Sequence, residues 1–382
     1  MTDAISPEAL AERIAAGEPI RLLDVRDRDE FEAWHVDGPT VTATQIPHVK
    51  WLQATVRDAV ADRAAEVAGE GPITVVCGHG EASADVADLL SAAGIEARNL
   101  AGGMRAWARV YRATEVASDP TVVQYDRPAS GCLSYLVVAG GEALVVDPIR
   151  AFADRYVADA AERDATVTAV LDTHLHADHV SGLRAVAAAT DARRLMPRLS
   201  TERGVAYEVE TVVDGTELSV SGATLRCRHL PGHTTGMTGL EAGDVLLSGD
   251  SLFLESVARP DLQRGQEGAT QLARQLYRSL TERLGDLPDE TLVAPGHYSP
   301  AATPAEDGSY TATLGALRAD LPVFDMDRED FVARVVRDMP PRPANVERVL
   351  AVNLGREDPD DEAAFEMELG PNNCAATPSL EE

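Results

Sequence analysis

Residues Leu171–Gly182 read LDTHLHADHVSG. Three histidines, His174, His176 and His179, and one aspartate, Asp178, crowd into this short stretch. They follow the run VTAV at 167–170, whose apolar and β-branched side chains predict a strand. The polar cluster is then the loop leaving the strand's C-terminal end. Neutral imidazoles and a carboxylate held this close suit a divalent metal ion. Three later fragments carry the same signature of a His or Asp beside a small residue at an expected strand end. They are Pro231-Gly232-His233-Thr234, Gly249-Asp250-Ser251 and Pro295-Gly296-His297.

The candidate metal ligands are therefore His174, His176, Asp178, His179, His233, Asp250 and His297, and Asp178 is also a candidate catalytic group. His174 and His176, two apart, can approach one point, and Asp178 and His179 a neighbouring one. His233 and His297 enter from separate strand ends, with Asp250 between them. Such a set suffices for two divalent ions bridged by a carboxylate, and part of it for one six-coordinate ion.

At 382 residues the chain exceeds one ordinary core and predicts two or more domains. A formal charge of −29 argues against nucleic acid and against an anionic membrane surface. Lys50 is its only lysine. An acidic, lysine-poor surface resembles halophilic proteins, in which salt screens the repulsion of like charges. Cys77, Cys132, Cys227 and Cys374 are scattered and form no CxxC pair, so neither a disulfide scaffold nor a cysteine-type zinc site is expected. The polar start TDAISPEALAER and the lack of a long apolar run predict a cytoplasmic protein without a signal peptide or membrane span.

Before the metal motifs, strands and helices alternate as in a small parallel α/β domain. Ser6 is an expected N-cap ahead of Pro7. IRLLDVRD reads as a strand, and Trp51–Val67 as one helix, with Leu52, Val56, Val60 and Ala64 four apart. Ile73–Val76 is the next strand. Cys77 stands at its end, before the small-residue loop Gly78–Ala82 and a helix from Ser83. A thiol there faces backbone N–H groups and a helix N-terminus, both favourable to an anionic sulfur adduct. Residues 113–128 read as a linker. In the second half, Leu133–Val138 and Ala143–Val146 form a hairpin around Gly140-Gly141. Gln271–Leu284 is an amphipathic helix. Residues 300–312 read as a surface loop. The segment beyond them reads as an ordered appendage near the mouth of the metal domain, with a stand-alone disordered tail, prompted by residues 376–382, as the alternative. Gly370-Pro371-Asn372-Asn373-Cys374 has no assigned role.

The N-terminal region resembles the rhodanese domain over roughly residues 8–112, through LLDVRDRDEFEAWHVDG, VVCGHGEASADVADLL and NLAGGMRAWARVY. The resemblance implies that Cys77 carries sulfane sulfur as a persulfide, in a loop spanning Cys77–Ala82. Trp34 replaces the usual small residue before His35. Glu81 and Ala82 stand where relatives often have Arg, so a bound thiol partner suits the loop better than free thiosulfate. Residues 129–305 resemble the metallo-β-lactamase fold through THLHADH, Thr173–His179, with later ligands at His233, Asp250 and His297. Within that fold the chain is similar to persulfide dioxygenases and to glyoxalase II-like hydrolases. The dioxygenases' two-His-one-Asp iron site falls on His174, His233 and Asp250. Asp178, His176 and His179 would then orient ligands or polarise solvent. Ala258-Arg259-Pro260-Asp261 resembles their GRxD segment, with Arg259 either pairing with Asp261 or positioning an anionic substrate. PGHYSP departs from their form around His297.

The expected architecture is α/β. A rhodanese-like parallel α/β domain (1–115) precedes a metallo-β-lactamase-type αββα sandwich (116–305) and a C-terminal extension packed on the metal domain (306–382). The expected function is oxidation of a low-molecular-weight thiol persulfide by O₂ to sulfite at one Fe(II) per chain, coupled to sulfur transfer through Cys77. One chain carrying both sites raises the effective concentration of the shared intermediate. A sulfur-donor protein and homo-oligomers are compatible with this reading. The alternatives are a thioester hydrolase with two Zn ions and a non-catalytic sulfur carrier.

Overall fold

The computed structural model describes residues 3–337 and 339–376. They divide into two compact units: residues 3–111 with 127–131 and 369–371, and residues 112–126 with 132–368 and 372–376. No described helix is long and apolar enough to cross a membrane.

In the first unit five parallel strands run in the order Ala4–Ile5, Ala97–Leu100, Ile73–Val76, Ile20–Asp24, Val41–Gln45. All four side chains of the central strand Ile73–Val76 are buried, as a parallel strand covered on both faces requires. Ser6 accepts a hydrogen bond from Ala9 N and starts the helix Pro7–Ala15. The expected long helix is instead two, His48–Val56 and Val60–Ala64. Asp58, at φ 51°, breaks the run between them. Trp51 and Ala54 form the buried face of the first, while Leu52 and Val56 are 49% and 89% exposed. One buried indole outweighs the four-residue spacing of smaller apolar side chains. Val41–Gln45, sequence VTATQ, was hidden by its polarity.

The second unit holds two sheets. The first has seven strands in the order Glu210–Val212, Arg193–Pro197, Thr166–Leu171, Glu142–Val146, Cys132–Ala139, Thr121–Arg127, Arg112–Val116. The expected linker at 113–128 is therefore largely sheet: Arg112–Val116 and Thr121–Arg127 pair antiparallel at its edge. The polar residues that disguised it are satisfied internally. Gln124 bonds both backbone groups of Tyr310, and Asp126 pairs with Arg112 at 2.8 Å.

The other sheet has six strands in the order Glu217–Val220, Ala223–His229, Thr238–Ala242, Val245–Gly249, Leu292–Pro295, Ala312–Thr313. Leu133, Tyr135, Val146 and Leu171 from one sheet form a core with Leu225, Leu240, Leu247 and Ala294 from the other. Alternation sends Leu246 and Val293 to the opposite face. There they meet Leu276, at the end of the helix Gly265–Arg278, together with Leu280 and Phe331. The helices Val346–Asn353 and Asp361–Met367 pack on the metal-motif loop: Val346, Leu350 and Leu354 against Leu175 and Ala177, and Val349, Val352, Ala364 and Met367 against Val180. Residues 377–382 of the expected tail lie outside the described residues.

This frame brings the strand ends at Leu171, Gly249 and Pro295 together, since Val245–Gly249 and Leu292–Pro295 run parallel and adjacent. Gly232 lets the helix Gly265–Arg278 approach the His233 turn. A Cβ there would lie 2.5 Å from Leu276 Cβ and 2.6 Å from its Cα. Gly232→Ala is expected to destabilise the fold by about 1–3 kcal/mol through overpacking, read as a lower denaturation midpoint at unchanged m-value.

Candidate metal centre

Each candidate ligand sits one to eight residues beyond a strand end, and all seven are buried. They do not converge on one point. His174, His233 and Asp250 form one group, with every donor atom within 4.8 Å of the others. His174 Nε2 and His233 Nε2 lie 3.8 and 3.6 Å from Asp250 Oδ2. Neither His174 Nε2 nor Asp250 Oδ2 has a hydrogen-bond partner. Burying such atoms unsatisfied is costly, and an ion bound by both imidazoles and the carboxylate would satisfy them together. Burial holds His174 and His233 below the ordinary histidine pKa, so both present the neutral imidazole that a metal requires. Their other nitrogens are fixed from behind. His233 Nδ1 bonds Arg259 O at 2.9 Å, and His174 Nδ1 lies 3.0 Å from Thr173 Oγ1.

Asp178, His179 and His297 form a second group, joined by Cys132. Several of its atoms bond one another, but Asp178 Oδ1 and His179 Nε2 are left without a hydrogen-bond partner. Asp178 Oδ2 accepts from His179 Nδ1 at 3.1 Å, from His297 Nε2 at 3.0 Å and from the Cys132 thiol at 3.4 Å. His297 Nδ1 bonds Asp250 Oδ1 at 2.7 Å. Both nitrogens of His297 thus face carboxylate oxygens. Although burial opposes its charge, Asp250 and the groups around it raise the His297 pKa well above the ordinary value. The same contacts, His297 foremost, outweigh burial at Asp250 and hold its carboxyl below the usual range.

His176 lies between the two groups, its ring centroid 4.2 Å from that of His174 and 4.3 Å from that of His179. Its Nε2 lies 2.9 Å from Asp147 Oδ1, in a cluster with Asp172. Asp147 also accepts from Thr173 N at 2.6 Å and Thr173 Oγ1 at 2.7 Å. It therefore ties the end of the hairpin strand Glu142–Val146 to the metal-motif loop. Burial pushes Asp172 up to about 6, and both its oxygens accept from Ser181 Oγ.

Sequence reasoning missed the supports supplied by the C-terminal extension. Asn353 is a buried clamp on the metal-motif loop. Its Nδ2 donates to His176 O at 3.0 Å and His179 O at 2.9 Å, and its Oδ1 accepts from Ser181 N at 2.9 Å. Glu368 accepts from Val180 N at 3.0 Å. Arg259 is an internal pillar. It pairs with Asp261 at 2.7 and 3.0 Å and donates to Pro341 O and Asn373 O. The pairing with Asp261, one of its two expected roles, is present. The segment carrying Asn373 and Cys374 runs beside Val257–Arg259 and brings Cys374 to Asp250 and His297. Only the Asn-Asn-Cys run, otherwise unexplained, hinted at this in the sequence.

Cys77 lies in the other unit, at the end of the strand Ile73–Val76. Gly80 N and Ser83 Oγ each approach its Sγ at 3.1 Å. Gly80 adopts φ 106° and starts the helix Glu81–Ala92. Gly103 packs behind the loop: a Cβ there would lie 2.3 Å from Cys77 O. Asp24 and Arg26 form a buried pair on the neighbouring strand, and Arg26 also donates to Trp34 O. A sulfur on Cys77 is thus met by one hydroxyl and by the amide end of a helix.

Residues 127–297 match the metallo-beta-lactamase superfamily model, and residues 6–110 match the rhodanese-like domain model. An uncharacterized protein of Mycobacterium leprae is 33% identical, over 46% of this chain and 90% of its own length. The mitochondrial persulfide dioxygenase ETHE1 of Homo sapiens is 26% identical, over 60% of this chain and 86% of its own. A hydroxyacylglutathione hydrolase of Polaromonas is 34% identical, over 41% of this chain and 57% of its own. Among solved structures, ETHE1 from Myxococcus xanthus is 28% identical with a TM-score of 0.53, covering 65% of this chain and all of that one.

If Asn353 sets the course of the metal-motif loop, Asn353→Ala lowers metal affinity by about 10–100-fold. Competition with a chelator measures this, and an unchanged affinity would remove the clamp from the account.

Proposed function

From a chain that belongs to the metallo-β-lactamase superfamily and joins that fold to a rhodanese-like domain, we propose a persulfide dioxygenase with a linked sulfur-transfer site. The observation that carries the reading is the split among the seven residues. Two buried donor atoms, His174 Nε2 and Asp250 Oδ2, stand unpaired beside His233. The hydrogen bonds of Asp178, His179 and His297 run among themselves and to Asp250 and Cys132. Both support an ion held by His174, His233 and Asp250, while the unpaired Asp178 Oδ1 and His179 Nε2 are the observation that favours a second ion. Ferrous iron in such a two-His-one-carboxylate set keeps positions open for O₂ and a thiolate-like sulfur together.

The proposed reaction takes a persulfide RSS⁻, O₂ and water to RS⁻, sulfite and two protons. The chain's own residues position and protonate. His233 is oriented by Arg259 O, and His174 by Thr173. Asp250 keeps Oδ2 for the ion because Oδ1 is bonded to His297 Nδ1. His297 presents Nδ1 to Asp250 and Nε2 to Asp178, where a proton at either nitrogen would meet a carboxylate oxygen. Burial of all these groups excludes bulk water and strengthens their mutual electrostatics. Cys77, in the same chain, would exchange sulfane sulfur with the same small-thiol pool, or pass persulfide sulfur to sulfite to give thiosulfate.

A second reading, a dizinc thioester hydrolase, draws on the close packing of Cys132, Asp178, His179 and His297 within 4.8 Å. It also draws on the similarity to a hydroxyacylglutathione hydrolase. There Cys132, Asp178, His179 and His297 would hold a second ion, and the pair of ions would supply an activated water for thioester hydrolysis.

Anaerobically purified protein is expected to hold about one iron per chain and to consume O₂ with a low-molecular-weight persulfide, releasing sulfite. About two zinc ions, thioester cleavage and no O₂ uptake would establish the hydrolase. Absence of both metal and turnover would leave a sulfur carrier. Cys77→Ser should keep O₂ uptake while changing the ratio of thiosulfate to sulfite at limiting persulfide. An unchanged ratio would separate the two sites functionally.

A further inference from the structure

A cleft of ≈ 480 Å³ lies in the second unit, between the Asp261–Gln266 turn and the C-terminal extension. That size falls within the range of small-molecule sites. None of the metal-ligand candidates lines it. Its walls carry Arg203, Arg259 and Arg342 against Asp261 and Glu347, with Leu262 and Leu350 as apolar surface.

The cations are unequally neutralised. Arg259 is satisfied by Asp261 and two backbone carbonyls. Arg342 reaches Glu347 at 3.3 Å, but that carboxylate side chain is 80% exposed, where such a pair binds weakly. The half-buried Arg203 guanidinium has neither an ion-pair partner nor a hydrogen-bond acceptor among the described residues. Arg356 adds a second positive charge beside it, bonded to Arg203 O at 2.8 Å. Glu347, which Arg342 already engages, is the carboxylate that attracts Arg203, and a partly desolvated guanidinium without a hydrogen-bonded counter-ion is costly to the fold. It is also unexpected in a chain whose net charge is −29.

We propose that this cleft binds a small organic ligand through its oxyanion, on Arg203 and Arg342. A guanidinium offers a planar fork of donors matched to a carboxylate or sulfur oxyanion, and Leu262 and Leu350 cover an apolar body. Two connections join the cleft to the metal centre. Arg259 supplies the carbonyl that orients His233. Gln263, also in the wall, accepts from Thr235 N at 2.6 Å and donates to Thr235 Oγ1 at 3.0 Å, two residues after His233. A ligand in the cleft therefore touches the residues that hold the His233 turn. The ligand class rests on the reading of the metal centre as a site for low-molecular-weight thiols; the charge of the cleft does not. Two sources offer this chemistry: the carboxylates of a thiol carrier, and the free sulfur oxyanion released by the reaction.

Calorimetric titration of the metal-loaded full chain with S-methylglutathione and, separately, with sulfite distinguishes them without turnover. Binding is expected for at least one ligand, weakened about tenfold or more in Arg203→Gln and in Arg342→Gln at unchanged metal content. Arginine-dependent binding of S-methylglutathione assigns the cleft to the carrier's carboxylates, and that of sulfite to the released oxyanion. The proposal is overturned if neither ligand binds, or if binding is equally tight in the variants. The two substitutions lie on separate segments, so misfolding of one leaves the other as the test. Because the measurement needs neither O₂ nor persulfide, a protein that fails to oxidise persulfides can still pass it.

Discussion

The bond of 2.7 Å between Asp250 Oδ1 and His297 Nδ1 links the two halves of the metal centre. It gives the two oxygens of one carboxylate different tasks. Oδ1 is committed to the imidazole, and Oδ2 is left facing His174 and His233. The same histidine passes on to Asp178, and Asp178 gathers His179 and Cys132. Asp178, His179, His297 and Cys132 thereby become a hydrogen-bonded group beside His174, His233 and Asp250. Adjacent parallel strands make this possible, because Val245–Gly249 and Leu292–Pro295 end side by side. Gly296 permits the contact: a Cβ there would lie 2.4 Å from Asp250 Oδ1.

The metal centre depends equally on chain far beyond the matched superfamily region. Asn353 satisfies three backbone groups of the metal-motif loop, and Glu368 a fourth. Buried backbone groups left without partners would cost as much as lost hydrogen bonds. The helices Val346–Asn353 and Asp361–Met367 therefore complete a loop that cannot satisfy its own amides. Arg259 ties the same extension to the His233 turn through Pro341 and Asn373.

Much of the architecture was legible along the chain because local physics fixed it. Ser6 before Pro7 marked a helix start, Gly140-Gly141 marked a hairpin, and ITVV marked a strand, which the structure buries throughout. The misreadings share a cause. Arg112–Val116 and Thr121–Arg127 looked like linker because Gln124 and Asp126 are polar, and their partners Tyr310 and Arg112 cannot be inferred from spacing. The false long helix after Trp51 followed a regular apolar spacing that the core ignores in favour of one indole.

For the centre itself, the sequence by itself determined which side chains are available and that they stand at strand ends, since residue chemistry and turn signals are local. It also marked Cys77 at the mouth of a small-residue loop before a helix. Only the tertiary structure decided their division. It sends His176 to Asp147, pairs Asp178 with His297, and leaves His174, His233 and Asp250 facing one another. Which nitrogen or oxygen stays unpaired depends on partners tens to hundreds of residues away, such as Asp147, Arg259 and Asn353. Those contacts are set by packing, which no local pattern records.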